Sequence, residues 1–246
     1  ANIGTTITGQ LIALDVGALA PAFAFLGVAM IVFVKSKKAH HYGLIVAGLG
    51  ILFLGMEMMS GAMMPLRDSE AFVSLMTKFS NPLLGILAGA VFTAIIQSSS
   101  ASVGILQALA TSGLVTLPNA VYVLFGQNIG TCITAVLAAI GTSRNAKRTT
   151  IIHLSFNIIG TTIFTIVCML TPLTSLIEGF TPNNVAQQIA NMHTLFNVVT
   201  TILLIPFGTY LASFAERVLP DKEEDMSGEM HLEFIRPIEM KGEHHI

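Results

Sequence analysis

A polar cluster from Gln97 to Ser102 (QSSSAS) interrupts an otherwise apolar run that extends from Pro82 to Leu117. It divides the apolar run into two halves of about 15 residues, and each half is too short to cross a hydrocarbon core of ~30 Å. Polar side chains and broken backbone inside a bilayer must be buried in protein or line a cavity. The run is therefore predicted to form a re-entrant helical hairpin over residues 82–112, with a ligand site at its turn.

The overall composition indicates a bilayer as the surroundings. Of the 246 residues, 53% are hydrophobic and 11% are charged, and the mean hydropathy is +0.75. Soluble domains have roughly 25% charged residues. We predict an all-α polytopic membrane protein with no nucleic-acid partner.

Cys132 and Cys168 lie in apolar runs and indicate neither a disulfide framework nor a metal site.

The other apolar runs predict the remaining segments. The run over residues 115–140 is interrupted at Gly126 to Thr131, where two glycines and an asparagine weaken a helix, so it is predicted to be discontinuous. The full set of predicted segments is residues 1–34 (half of a broken helix, then a span from Leu14 to Val34), a span from Gly43 to Met64, the hairpin 82–112, the discontinuous helix 115–140, spans 150–170 and 190–211, and an acidic tail 216–246.

Basic residues orient these segments. If the hairpin enters and leaves on one side, Lys35 to Lys38 and Arg144 to Arg148 face the same side, and ten of the twelve Lys and Arg residues are cytoplasmic. We therefore predict a plasma (inner) membrane protein whose tail is cytoplasmic. The tail from Glu216 holds nine of the fourteen acidic residues and is predicted to be a tail or a linker.

An internal repeat organises the chain. Asn2 to Thr8 (NIGTTIT) matches Asn128 to Thr134 (NIGTCIT) at six of seven positions. The predicted topology orients the two copies oppositely, which is typical of an inverted-repeat transporter with its site between the halves. Residues 43–170 then form a complete second repeat, and residues 1–34 form the end of the first.

A smaller repeat pairs His153-x-x-Phe156-Asn157 with His193-x-x-Phe196-Asn197. The two histidines are expected to differ in depth by ~20 Å, at ~1.5 Å per residue, so a shared haem is disfavoured and structural roles are predicted. Glu57, an acid within a predicted span, is either an ion or proton site or a packing acid hydrogen-bonded to a neighbour.

Several motifs together resemble one family. They are Gly85-Ile86-Leu87-Ala88-Gly89, Thr93-Ala94-x-x-Gln97-Ser98-Ser99-Ser100-Ala101, Asn128-Ile129-Gly130-Thr131, Arg148, and the His153 motif. In this order they resemble the bacterial branch of the type II sodium/phosphate cotransporters. That resemblance implies an inverted-repeat fold and sodium-coupled transport of inorganic phosphate. Family members have two Gln-Ser-Ser-Ser hairpins, which are taken to bind phosphate and sodium together, and this chain has only the second. Bacterial relatives often continue into a cytoplasmic domain that resembles PhoU.

Site residues follow from this resemblance and from the chemistry of the two ions. Phosphate needs hydrogen-bond donors, and sodium needs hydroxyl, amide or carbonyl oxygens. The phosphate and sodium ligands are predicted to come from the hairpin turn and from both copies of the repeat: Gln97, Ser98, Ser99, Ser100, Ser102, Asn128, Thr131, Thr134, Asn2, Thr5 and Thr6. Accessory positions are Thr93, Asn157, Asn197 and Glu57. No organic cofactor is expected, and sodium is the coupling ion.

Two other functions fit parts of the pattern. A regulatory membrane protein could sense phosphate without transporting it, through an appended or separate cytoplasmic domain. An intramembrane serine hydrolase is disfavoured because the Gly-x-Ser-x-Gly nucleophile motif is absent from the sequence. The chain is therefore not predicted to be an enzyme.

Overall fold

A computed structural model describes residues 2–14 and 17–220, and within these ranges the chain forms helices and no strand. Short 3-10 turns precede α2 and follow α3 and α11. The helices are α1 (Asn2–Ile12), α2 (Ala20–Phe33), α3 (Lys37–Met63), α4 (Glu70–Lys78), α5 (Pro82–Ile96), α6 (Ser99–Thr111), α7 (Leu117–Gly130), α8 (Cys132–Ala139), α9 (Arg144–Leu170), α10 (Leu173–Phe180), α11 (Val185–Leu204) and α12 (Gly208–Val218).

Four helical segments are long and apolar enough to cross a bilayer: Lys37–Asp68, Leu117–Ala139, Arg144–Leu170 and Val185–Val218. A fifth is obtained if α4 and α5, which meet at 107°, are counted as one span. The chain is thus an all-helical, multi-pass membrane protein. The inverted repeat and the predicted segment boundaries stay predictions.

Two predicted spans differ from the observed helices. The span from Leu14 to Val34 contains only the 14 residues of α2, because Pro21 near its start favours a helix beginning there. The final span, predicted over 190–211, is α11 followed by a 3-10 turn at Pro206 and by α12. The acidic tail from residue 221 onward lies outside the described residues.

The chain reverses direction between α5 and α6. Thr93 Oγ1 and Ser102 Oγ lie 2.6 Å apart, whereas nine residues of continuous helix would separate them by ~13 Å. The polar cluster is therefore the turn of a helical hairpin, as predicted. Its re-entry into a bilayer stays a prediction.

Glycines press the first arm of the hairpin against α7. A Cβ atom at Gly89 would overlap the Val123 carbonyl oxygen, and one at Gly126 would overlap the Ile86 carbonyl oxygen. Gly85 and Gly130 make similar close approaches. Each helix therefore contributes a Gly-x-x-x-Gly pair, the spacing that lets two membrane helices touch backbone to backbone. This contact places the hairpin turn beside the end of α7.

Three phenylalanines join α7, α9 and α11. The ring of Phe125 lies 5.9 Å from that of Phe164 and 5.2 Å from that of Phe196, centre to centre. All three side chains are buried.

The predicted discontinuity in the α7–α8 segment is confined to Thr131, whose backbone angles are themselves helical.

Candidate site at the hairpin turn

The hairpin turn is built from two residues. Gln97 ends α5 in the left-handed conformation (φ 62°), and its N–H donates to the Thr93 carbonyl oxygen at 2.8 Å. Ser98 is the N-cap residue that precedes α6, and its Oγ accepts a hydrogen bond from the N–H of Ala101 at 3.3 Å. Serine is a favoured residue at this position because it satisfies one of the first N–H groups of a helix. The N–H groups of Ser99 and Ser100 have no acceptor within the helix and lie at the turn.

A small cavity adjoins this turn. Five residues line it: Asn2, Thr5, Ser99, Asn128 and Thr131. They come from α1, from the start of α6 and from the α7–α8 junction, and all five belong to the predicted ligand set. The cavity offers about 10 Å³ to the centre of a water-sized group, which is close to the minimum for one water molecule. Three distant segments therefore meet here in a contracted polar pocket.

Two other predicted ligands, Ser102 and Thr6, and the accessory residue Thr93 form hydrogen bonds within the protein and do not line this cavity. Ser102 and Thr93 are buried and hydrogen-bonded to each other, and the Gln127 amide donates to the Ser102 carbonyl oxygen at 3.1 Å. The buried Thr6 hydroxyl donates to the carbonyl oxygen of Ile3 at 2.6 Å. The Thr93–Ser102 hydrogen bond therefore joins the two arms of the hairpin, whereas the Thr6 bond lies within α1.

The remaining hairpin residues surround the turn. The Thr134 hydroxyl donates to the carbonyl oxygen of Gln97 at 3.2 Å and so ties α8 to the turn. Gln97 and Ser98 are exposed, and Ser100 is half-buried. They border the turn without lining the small cavity.

Two histidines contact the asparagines of the cavity. The Nε2 atom of His153 lies 3.2 Å from Asn2 Oδ1, and that of His193 lies 3.3 Å from Asn128 Oδ1. Because both asparagines line one cavity, the expected ~20 Å difference in depth is wrong. Each histidine is eight or nine residues inside its helix, ~12–14 Å from the first residue. The sequence carried the missed signal: a repeated asparagine motif and a repeated histidine motif that pair with each other.

This arrangement of motifs can now be compared with known proteins. The family model described as Na+/Pi-cotransporter matches residues 1–61 and 64–202. The chain belongs to this cotransporter family. No solved structure matches it significantly.

Several relatives resemble this cotransporter-family chain. "Uncharacterized protein YqeW" of Bacillus subtilis is 34% identical over 225 residues, which cover 90% of the chain and 71% of that protein. "Putative inorganic phosphate export protein YjbB" of Salmonella typhimurium is 26% identical over 91% of the chain and 41% of its own length. Human "Sodium-dependent phosphate transport protein 2B" is 36% identical over 95 residues, 39% of the chain and 13% of that protein. The chain therefore spans less than half of YjbB.

Membership of a transporter family shows that the chain is not an enzyme.

The predicted accessory asparagines of this cotransporter-family chain lie one layer behind the cavity. Asn157 Oδ1 accepts a hydrogen bond from Asn2 Nδ2 at 2.9 Å, and its own amide donates to Cys132 Sγ at 3.3 Å. Asn197 donates to the His193 carbonyl oxygen at 2.9 Å. Both asparagines are fully buried.

Glu57 does not join this site. It lines a separate cavity of about 510 Å³ with Ser60, Thr111 and Asn184. Thr111 ends α6 and Ser99 begins it, so the two cavities are ~18 Å apart along this helix. Whether Glu57 binds an ion stays open.

A larger cavity of about 500 Å³ shares Asn2 with the small one. Its other polar lining residues are Thr149, Thr150, His153 and Thr201. Thr149 and Thr150 directly follow the basic residues Arg144 to Arg148, so this cavity lies toward the side predicted to be cytoplasmic.

Proposed function

We propose that this chain carries the second-repeat part of a site for sodium-coupled transport of inorganic phosphate across the plasma membrane. One observation carries the proposal: five polar residues, predicted as ligands and far apart in sequence, line one cavity at the hairpin turn. The family supports phosphate as the substrate. Because the chain spans only part of its relatives, the transport activity is proposed for the whole protein.

The donors at the turn suit a phosphate that must be released again. Ser99 and Thr5 bring hydroxyl groups to the cavity, and the first N–H groups of α6 point their dipoles toward an anion. The Thr131 hydroxyl donates to the Gln127 carbonyl oxygen at 2.9 Å and would have to leave it to donate to phosphate. Among residues 2–14 and 17–220, no Lys or Arg side chain lines the cavity. Lysine or arginine would form strong charge-assisted bonds with phosphate and slow its release.

Sodium fits the same group of side chains. Its ligands in transporters are hydroxyl, amide and freed carbonyl oxygens, and the cavity lining contains threonine, serine and asparagine oxygens. A bound cation would offset the charge of phosphate where the dielectric constant is low. This is a physical reason for the two ions to bind together.

Binding requires the cavity to widen. About 10 Å³ admits roughly one water molecule, so phosphate needs the hairpin turn to separate from Asn2 or Asn128. The resemblance to the family also implies a second Gln-Ser-Ser-Ser hairpin in the complete site.

Flux of ³²P-phosphate into and out of proteoliposomes tests the proposal, with the protein expressed from its complete gene. We expect flux that needs a sodium gradient and that disappears when potassium replaces sodium. Imposing the gradient in each direction distinguishes uptake from the export named for YjbB. Phosphate binding without flux in either direction would favour the phosphate-sensing alternative, and absence of both would refute a phosphate site.

A further inference from the structure

Two asparagine–histidine pairs have the same geometry. Asn2 pairs with His153 at 3.2 Å, and Asn128 pairs with His193 at 3.3 Å, in both cases from Oδ1 to Nε2. The asparagines come from the two Asn-Ile-Gly-Thr copies and the histidines from the two His-x-x-Phe-Asn copies. Two separate sequence repeats thus combine into one local arrangement that occurs twice.

The two arrangements differ in one hydrogen bond. In the first, Asn2 Nδ2 donates to Asn157 Oδ1 at 2.9 Å. In the second, the corresponding atoms are Asn128 Nδ2 and Asn197 Oδ1, which are both buried and have no partner within residues 2–14 and 17–220. One is a donor and the other an acceptor. Burying both unpaired is unfavourable, so the second arrangement is poised to form the bond that the first already has.

The helix surfaces that carry the two histidines also differ in exposure. We call them the α9 wall (Thr150, Ile152 and His153) and the α11 wall (Ala190, Met192 and His193). Thr150, Ile152 and His153 of α9 line the 500 Å³ cavity. The residues forty positions later on α11, Ala190, Met192 and His193, are between 0% and 1% exposed. One copy therefore borders an open cavity, while the matching copy is sealed.

We propose that Asn157 and Asn197 are positioning residues that bind Asn2 and Asn128 in alternation, and that His153 and His193 position the same two asparagines. In the described conformation the Asn2–Asn157 bond is formed and the α9 wall is open. In the opposite conformation the Asn128–Asn197 bond forms, the Asn2–Asn157 bond breaks, and the α11 wall opens. This inference rests on the proposed transport function.

The directions of the helices support an exchange. α1 ends beside Ala110 and Thr111, at the far end of α6. α8 instead leads toward α9, where the Thr150 hydroxyl donates to the Ala135 carbonyl oxygen at 3.4 Å. The two asparagine-bearing segments thus leave the cavity in opposite directions, and in the proposed exchange each opening faces one side of the membrane. Making one asparagine bond at a time keeps the two conformations close in free energy, so both are populated.

Thiol labelling in oriented vesicles tests the exchange. Thr150→Cys and Ala190→Cys occupy matching positions on the open and the sealed wall; the first nearly preserves side-chain volume, and the second adds one sulfur atom. They are made in the full-length protein with Cys168→Ser, and Cys132, which is buried, is retained. A membrane-impermeant thiol reagent should label Thr150→Cys only from the cytoplasmic side and Ala190→Cys only from the other side. Ile152→Cys and Met192→Cys form a second pair if either variant misfolds.

Asparagine substitutions give the decisive readout. Asn157→Ala removes the bond of the described conformation, so it should slow labelling of Thr150→Cys and speed labelling of Ala190→Cys, and the ratio of the two labelling rates should change by about fivefold, as expected for one hydrogen bond. Asn197→Ala should do the reverse. Thr162→Ala is the control, because this exposed hydroxyl donates only within its own helix, to the Ile158 carbonyl oxygen.

The proposed transport function and the proposed asparagine exchange can be refuted separately. Labelling is measured independently of flux, so a protein that alternates without moving phosphate refutes only the transport function. If flux occurs but the α11 wall is never labelled from either side, the exchange is wrong. It is equally wrong if Asn157→Ala and Asn197→Ala change the two labelling rates in the same direction, as a merely structural role predicts.

Discussion

The two arms of the hairpin are held by different means. α5 lies against α7 through glycines that leave no room for a side chain. α6 is fixed by polar contacts to other helices: the buried Gln107 amide donates to the carbonyl oxygens of Gly9 at 2.9 Å and Ala186 at 3.1 Å, and Ser112 Oγ donates to that of Ser60 at 2.8 Å.

The two kinds of contact have different consequences for the fold and for the site. Glycine contacts are short-range and permit no added volume, so they fix the position of the first arm. Hydrogen bonds from α6 can be exchanged for others, and the helix start that they support carries the polar groups of the turn. Substitutions in α5 should therefore affect folding first, whereas those in α6 should affect the site or the stability in proportion to the bonds lost.

Gly89→Leu should have the largest effect. The new side chain would collide with the backbone of Val123, and backbone cannot yield as a flexible side chain does. We expect no monodisperse protein by size-exclusion chromatography in detergent. Gly48→Leu is the matched control, because no atom lies within 4 Å of a Cβ at Gly48. Normal elution of the Gly89 variant would show that the first arm is not positioned by close packing.

Ser99→Ala should strongly reduce function while leaving the fold intact. The serine begins α6 and lines the small cavity, and loss of a hydrogen bond to a charged ligand costs about 1.5–3 kcal/mol, or about tenfold to a hundredfold. Sodium-dependent phosphate flux should fall by that factor, with unchanged thermal unfolding. Ser74→Ala, at an exposed position on α4, should transport normally. Unchanged flux in the Ser99 variant would remove this residue from the site.

Gln107→Leu should lower stability more moderately. The substitution removes two hydrogen bonds to backbone carbonyl groups, but it also removes a buried Oε1 atom without a partner among the described residues. The net loss in unfolding free energy should be about 1–2 kcal/mol, measured by denaturant titration in detergent. Thr111→Ala loses only a bond within α6 and should change stability by less than about 0.5 kcal/mol. Equal effects of the two would mean that the polar contacts do not hold the second arm.

Gln97→Gly should have the smallest effect on stability and the opposite sign. Gln97 has a left-handed backbone conformation, which glycine adopts without strain. We expect the unfolding free energy to rise by about 0.5–1 kcal/mol and flux to fall, because the amide is lost. Gln97→Asn keeps an amide and tolerates this backbone, so it should retain more flux than the glycine variant. A glycine variant with full flux would show that the amide of Gln97 is not used.

Local patterns predicted the hairpin and half of the site. The cluster Gln97 to Ser102 indicated the turn because polar residues cannot continue an apolar helix, and the matched repeat identified Asn2 and Asn128 as residues of one site. The Gly-x-x-x-Gly pairs were visible in the sequence, but only the structure shows that Gly89 and Gly126 face each other's helices.

Other features depend on which helices become neighbours, and no local pattern encodes that. Thr93 and Ser102, an accessory position and a ligand in the sequence prediction, are hydrogen-bonded to each other across the turn in the described conformation. The depths of His153 and His193 were misjudged because both helices begin several residues earlier than the apolar runs suggested. α2 is shorter than its apolar run, because Pro21 favours the first turn of a helix and hydropathy alone does not indicate where a helix begins.

The short α2 has a consequence for the surrounding lipid. It measures ~21 Å, whereas α3, packed tightly against it through Gly27 and Gly50, measures ~40 Å. A bilayer beside so short an apolar helix thins, at a cost that rises with each ångström of mismatch to a hydrocarbon core of ~30 Å. The length of the lipid tails around α2 therefore contributes to the energy of the folded chain.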